Sequence, residues 1–242
     1  VGRDKTSSMG PLPRQAWLLV LHDLRQELRE REIVSTTVFF TLVVLVMFGL
    51  SFASLGTALH PLIAPGLLWL CVMFVGSMTL TRIFDREREA DTLRALLVAP
   101  VERLAIYLAK ATVTLLVLLA CMALLVPGLV VLFPGASALA TNPSTTIALV
   151  VLGCLGYVAV GTLFAAGLAT GSGKHVLLAV VLYPVTSPVL LFALVATRAL
   201  LEHHPRVMTY LGQMAAVDVL LLVLGAWLFE PVLVGVGRAR VP

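Results

Sequence analysis

Between Lys110 and Lys174 the chain carries no Asp, Glu, Lys or Arg. A water-soluble domain buries one face of each element and needs charge on the other, so an uncharged run of this length excludes one. The rest of the chain agrees. Apolar residues make up 60% and charged residues 12%, and the charges gather at the N-terminus and between Arg82 and Arg103. Apolar segments of about 20 residues cross a bilayer as helices. Six are predicted: Ser35–Leu59, Leu62–Phe84, Leu104–Phe133, Ser144–Thr170, Val176–Leu201 and Met214–Val236. The third is longer than crossing needs, which predicts a tilt or a break at Pro127. No period-2 pattern marks an outer-membrane barrel. The expected fold class is an all-α integral membrane protein with six transmembrane helices.

Orientation follows from Lys and Arg. With this span order, fifteen basic residues fall on the side that holds both termini, and only Arg198 and Arg206 fall on the other. The positive-inside rule makes the basic side cytoplasmic. The net charge of +4 therefore reflects topology and anionic headgroups, not nucleic acid. Residues 1–11 read as a disordered tail without the apolar core of a cleavable signal peptide, and residues 238–242 as a short cytoplasmic tail. Cys71, Cys121 and Cys154 all fall inside spans and form no CxxC, which suits packed apolar thiols.

Residues 12–34 form an amphipathic pattern ahead of the first span. Trp17, Leu21, Leu24 and Leu28 recur at i, i+4, i+7 and i+11, and charges cover much of the remainder. This predicts a helix lying in the membrane interface, with Trp17 at headgroup level, that steers the chain into span one. The competing reading is a cytosolic helix packed on a partner. His60 and Pro61 form a short first loop, so spans one and two are an antiparallel hairpin. The third loop, Pro134 to Pro143, is uncharged and reads as an ordinary turn, and Glu202 to Gln213 is the longest loop on that side.

The segment after span two is the first functional candidate. Eight charges fall within Arg82–Arg94, and opposite signs at i, i+3 (Asp85 with Arg88, Arg88 with Asp91, Asp91 with Arg94) support a helix. Leu93, Leu96, Leu97 and Val98 then make an apolar ridge, and Pro100 ends the helix. A charged helix with an apolar ridge and a defined stop is a docking element, with Asp85, Arg86, Glu89, Asp91, Leu93, Leu96, Leu97 and Pro100 as its candidate residues. A solvated loop with internally paired charges is the alternative.

The run E-x-D-T-L-x-x-L-L-x-x-P-V-x-R-x-x-x-x-x-A-K from Glu89 to Lys110, with six spans and a leading amphipathic helix, resembles the type-2 ABC exporter permeases. Ala64-Pro65-Gly66-Leu67-Leu68-Trp69, Leu108-Ala109-Lys110 and Tyr183-Pro184-Val185-Thr186-Ser187-Pro188-Val189-Leu190-Leu191-Phe192-Ala193 are similar to one family within it, haem exporter protein B. The resemblance covers essentially residues 14–237, with Asp91 standing where the class usually has glycine. It implies a six-span permease domain over residues 35–237 in the cell inner membrane. It further implies a coupling helix seated in a cytoplasmic ABC ATPase, a tryptophan-rich haem-handling membrane subunit, a periplasmic haem chaperone and a role in cytochrome c biogenesis. A permease for a drug, lipid or glycan, and a scaffold without transport, remain alternatives.

Chemistry within the chain itself is sparse. Gly171-Ser172-Gly173-Lys174-His175 imitates the end of a phosphate loop, but Leu168 and His175 stand where glycine and a hydroxyl residue are required. ATP hydrolysis is therefore expected in a separate chain, and this one is expected to be no enzyme. Haem needs axial ligands. His22 and His175 are predicted cytoplasmic and His60, His203 and His204 outside, while Trp17, Trp69 and Trp227 are scattered. The expectation is that ATP and haem are handled by partner subunits and that no cofactor or metal is bound here. Two acids, Asp218 near the outer end of span six and Glu230 near its inner end, are costly in lipid and need a partner or water. Pairing of Glu230 with Arg238 or Lys174 competes with a proton or substrate path.

Overall fold

The computed structural model describes residues 11–30, 32–52, 56–89, 102–168 and 174–238. Within them the chain is helical and contains no strand. In chain order the helices are α1 (Leu12–Glu30), α2 (Glu32–Phe52), α3 (His60–Glu89), α4 (Arg103–Leu132), α5 (Ala138–Thr141), α6 (Pro143–Leu168), α7 (Lys174–Leu201) and α8 (Val207–Arg238). Six of them, α2, α3, α4, α6, α7 and α8, are long and apolar enough to cross a membrane.

The bundle is organised around α6, which packs most extensively on α8 and α7 and also touches α4 and α3. Small residues on α6 allow this. Trp69 of α3 lies over Gly153, and a side chain there would collide with the indole. Tyr107 of α4 donates its hydroxyl to Ala159 O across 2.9 Å. Close approach through small residues is how membrane helices associate where no hydrophobic effect drives them together. Two further hydrogen bonds join α3 to its neighbours: Trp69 Nε1–H donates to Thr197 Oγ1 of α7 (2.8 Å), and the Tyr157 hydroxyl of α6 donates to Met73 O (3.1 Å). By contrast, α2 and α8 bury the smallest shares of their spans.

Several boundaries differ from the sequence reading. Of the amphipathic segment, Leu12–Glu30 forms α1, and Glu32, Ile33 and Val34 belong to α2. Span one does not continue as α-helix to Leu59, because extended Gly56 and a 3-10 turn at Thr57–Leu59 precede α3. Span three is unbroken: α4 runs through Pro127. The third loop is ordered, with a 3-10 turn at Pro134–Ala136, then α5, and with Ala136, Ala138 and Leu139 buried. The last helix begins at Val207, seven residues before Met214, so the loop is only residues 202–206. Val207, Leu211 and Met214 are all buried, and this i, i+4, i+7 stripe holds the extra turns despite Gly212 and Gln213.

Candidate functional site

The helix α1 packs chiefly against α4. Gln15 and Val20 are buried in that contact, while Trp17 is 60% exposed. The stripe read from the sequence therefore lies beside the contact face: Trp17 is outward, Leu21 and Leu24 are half-buried, and Leu28 lies further along the helix. Two polar contacts fix α1. The Gln15 side-chain oxygen accepts the Glu102 backbone N–H (3.0 Å), satisfying the residue that caps the start of α4. Lys110, on the second turn of α4, donates to Asp23 Oδ2 across 2.6 Å. The Lys110 side chain is 6% exposed and that of Asp23 16%, so this is a buried ion pair.

The pairing was missed in the sequence, where Lys110 served as a topological charge and as part of the family resemblance. A signal existed: one cation inside an otherwise uncharged span needs a partner. Sequence alone does not pick Asp23 from among the acids of α1.

These contacts flank the segment read as a docking element. Asp85, Arg86 and Glu89 lie on the last turns of α3, which stays helical to Glu89 although its apolar span ends at Ile83. Asp91, Leu93, Leu96, Leu97 and Pro100 lie outside the described residues, as do residues 169–173 of the glycine-rich turn.

At the opposite end of the bundle, three histidines have structural tasks. His60 is buried, its Nδ1 accepts the Gly135 N–H (3.2 Å), and its ring meets Phe133 edge-on. Gly135 has no room for a side chain, since a Cβ there would lie 2.6 Å from His60 Cβ and 2.8 Å from Thr57 O. His203 has φ 52° and ends α7 in a left-handed cap, with its N–H on Leu200 O and the His204 N–H on Ala199 O. His204 Nδ1 accepts the Arg206 N–H. Among the described residues, no group of three His, Cys, Asp or Glu is placed to hold a metal ion.

Asp218 is the second buried charge. It is 2% exposed and lies eleven residues beyond Val207, the first residue of α8, deeper in the helix than the sequence reading placed it. The seven-residue shift of the helix start accounts for the difference. Both carboxyl oxygens are buried and have no hydrogen-bond partner among the described residues. Asp218 faces Gly156 of α6 and lies near Val189 of α7. Glu230 lies on α8 just beyond Phe229, and its expected pairing falls on side chains outside the described set.

Six apolar spans, a leading helix clamped to α4 and polar groups buried between helices define a multi-pass helical membrane protein. The sequence model of one family, described as CcmB protein, matches residues 14–233, and the chain belongs to that family. It is thereby a permease-type membrane subunit of the haem-export ABC system of cytochrome c maturation, the system whose other components it associates with. A search of curated proteins found no match.

Proposed function

We propose that this chain couples a separate cytoplasmic ABC ATPase to haem delivery, or to release of the haem-loaded periplasmic chaperone, in the cell inner membrane. ATP binding and hydrolysis in the partner move the segment between α3 and α4. That motion passes into the bundle, and a tryptophan-rich partner subunit handles haem. The observation that carries this reading is the projection of α3 to Glu89, beyond the end of its apolar span at Ile83. It is supported by α1, whose bonds to Glu102 and Lys110 tie the chain immediately after residues 90–101 to the leading helix. The exposed Trp17 face suits α1 lying in the membrane interface.

Both termini and Lys174 are cytoplasmic in this reading, and His60, Asn142 and His203 are periplasmic, from the bias in Lys and Arg. The chain binds neither ATP nor haem as a cofactor. The assignments of His60, His203 and His204 to caps and turns support that division of labour.

Leu96→Asp is the decisive test. An unpaired charge in an apolar docking contact costs several kcal/mol. The variant should accumulate in the membrane, lose most of the co-purifying ATPase and stop cytochrome c maturation. Undiminished ATPase recovery would refute the docking role.

A further inference from the structure

The Asp218 carboxyl group packs tightly on α6. A methyl group built on Gly156 would collide with Asp218 Oδ1 and come within 2.7 Å of Val189 Cγ1. The carboxyl group therefore lies directly against Gly156 of α6. No donor or cation reaches either oxygen among the described residues. A carboxylate so buried has no protein donor or counter-ion among the described residues, and an ionised carboxyl group away from water requires one.

Most charged and titratable groups among the described side chains on the helices packed against α8 have partners of their own. On α4, Tyr107 donates to Ala159 O, Lys110 pairs with Asp23, and Cys121 is hydrogen-bonded with Thr41. Arg103 stands at the first turn of α4 and has interactions of its own. On α6, the Tyr157 hydroxyl donates to Met73 O and Cys154 is a buried thiol. On α7, Tyr183 lies 3.4 Å from Ser77 Oγ and Arg198 pairs with Glu202. Tyr210 is half-buried on α8, two turns from Asp218.

The neighbouring stretch of α7 is weakened. Pro184 and Pro188 lie within the helix and supply no N–H, and Ser187 Oγ donates to the freed Pro184 carbonyl at 2.7 Å. Val189, which meets Gly156 beside Asp218, follows directly.

We infer that Asp218 is a proton-binding site in the middle of the bundle, occupied when α8 is packed on α6 and emptied when the two helices part. On parting, water enters beside Gly156, the carboxyl O–H bond breaks, the proton passes to water and its electron pair stays on the carboxylate. Proton binding to the packed arrangement alone makes acid favour packing and alkali favour parting. The shift in their ratio is at most about tenfold per pH unit for one proton.

The test combines infrared spectroscopy and complementation, on the chain in its native complex in lipid nanodiscs and in cells. At neutral pH the wild type should show the carbonyl stretch of a protonated carboxylic acid. Asp218→Asn should remove it and Asp218→Glu should shift its frequency. Absence of the band in the wild type, or a band unmoved in both variants, overturns the inference. In cells, Asp218→Asn at wild-type abundance should lose cytochrome c maturation, with partial recovery in Asp218→Glu. Wild-type maturation in Asp218→Asn also overturns it. If Asp218→Asn fails to accumulate, the infrared shift in Asp218→Glu decides alone. The infrared reading does not depend on what residues 90–101 dock to, so it fails or stands separately from the ATPase assignment.

Discussion

Lys110 and Asp218 are the two fully charged residue types buried among the described residues, and the fold treats them in opposite ways. Lys110 enters a span with its partner supplied by α1, at 2.6 Å and from 87 residues away in sequence. Asp218 is buried about three turns into α8, with both oxygens unmet among the described residues. Removing one member of a buried ion pair leaves an uncompensated charge, so the first arrangement is a structural lock. The second stabilises nothing as it stands. On the inference above, Asp218 changes its protonation state during function.

The contrast can be broken most severely at the lock. Asp23→Lys places two cations in one buried site and should cost more than the about 3–5 kcal/mol expected for deleting one partner. Thermal unfolding in detergent should show a large loss, and Asp23→Lys combined with Lys110→Asp should recover most of it. A single variant that melts with the wild type would show that the pair holds nothing.

A smaller effect sharpens the other side. Gly156→Ala forces a methyl group against Asp218 and Val189, an overpacking that costs about 1–3 kcal/mol. Asp218→Ala in the same chain should relieve part of that cost, giving a non-additive pair in a double-mutant cycle. Strict additivity would mean that the two residues do not press on each other.

Gln15→Ala tests the second tie of α1. It leaves the Glu102 N–H without its acceptor, for about 1 kcal/mol. Amide exchange at the first turn of α4 should rise by about fivefold, a local change that Asp23→Asn should not reproduce at that amide. The smallest change lies outside both sites. His203→Gly removes a left-handed non-glycine residue and should raise stability by about 0.5–1 kcal/mol without touching maturation. A lower melting temperature would assign His203 a contact beyond its cap.

The spans were legible because hydropathy over about 20 residues is a strong signal that local chemistry seldom overrides. Their ends were less so. Gly56 breaks a segment that reads as continuous, whereas Gly212 and Gln213 sit inside a helix where they read as loop. Both outcomes depend on what the neighbouring turns bury, which is tertiary information. The site followed the same rule. Asp218 and Glu230 could be singled out as costly acids from the sequence, but the depth of Asp218 depended on where α8 starts. The Asp23–Lys110 pair depended on α1 folding back on α4, which no local pattern encodes.

The contact between His60 and Gly135 has a mechanical consequence. It holds the first turn of α3 to the turn that follows α4, with no room for a side chain at Gly135. Pro65 in the next turn removes a helical hydrogen bond and leaves a soft point beside the anchorage. A helix of 30 residues spans about 45 Å, so a tilt of about 5° about His60 would carry Glu89 through about 4 Å, and the coupling proposed above would have that much stroke to work with.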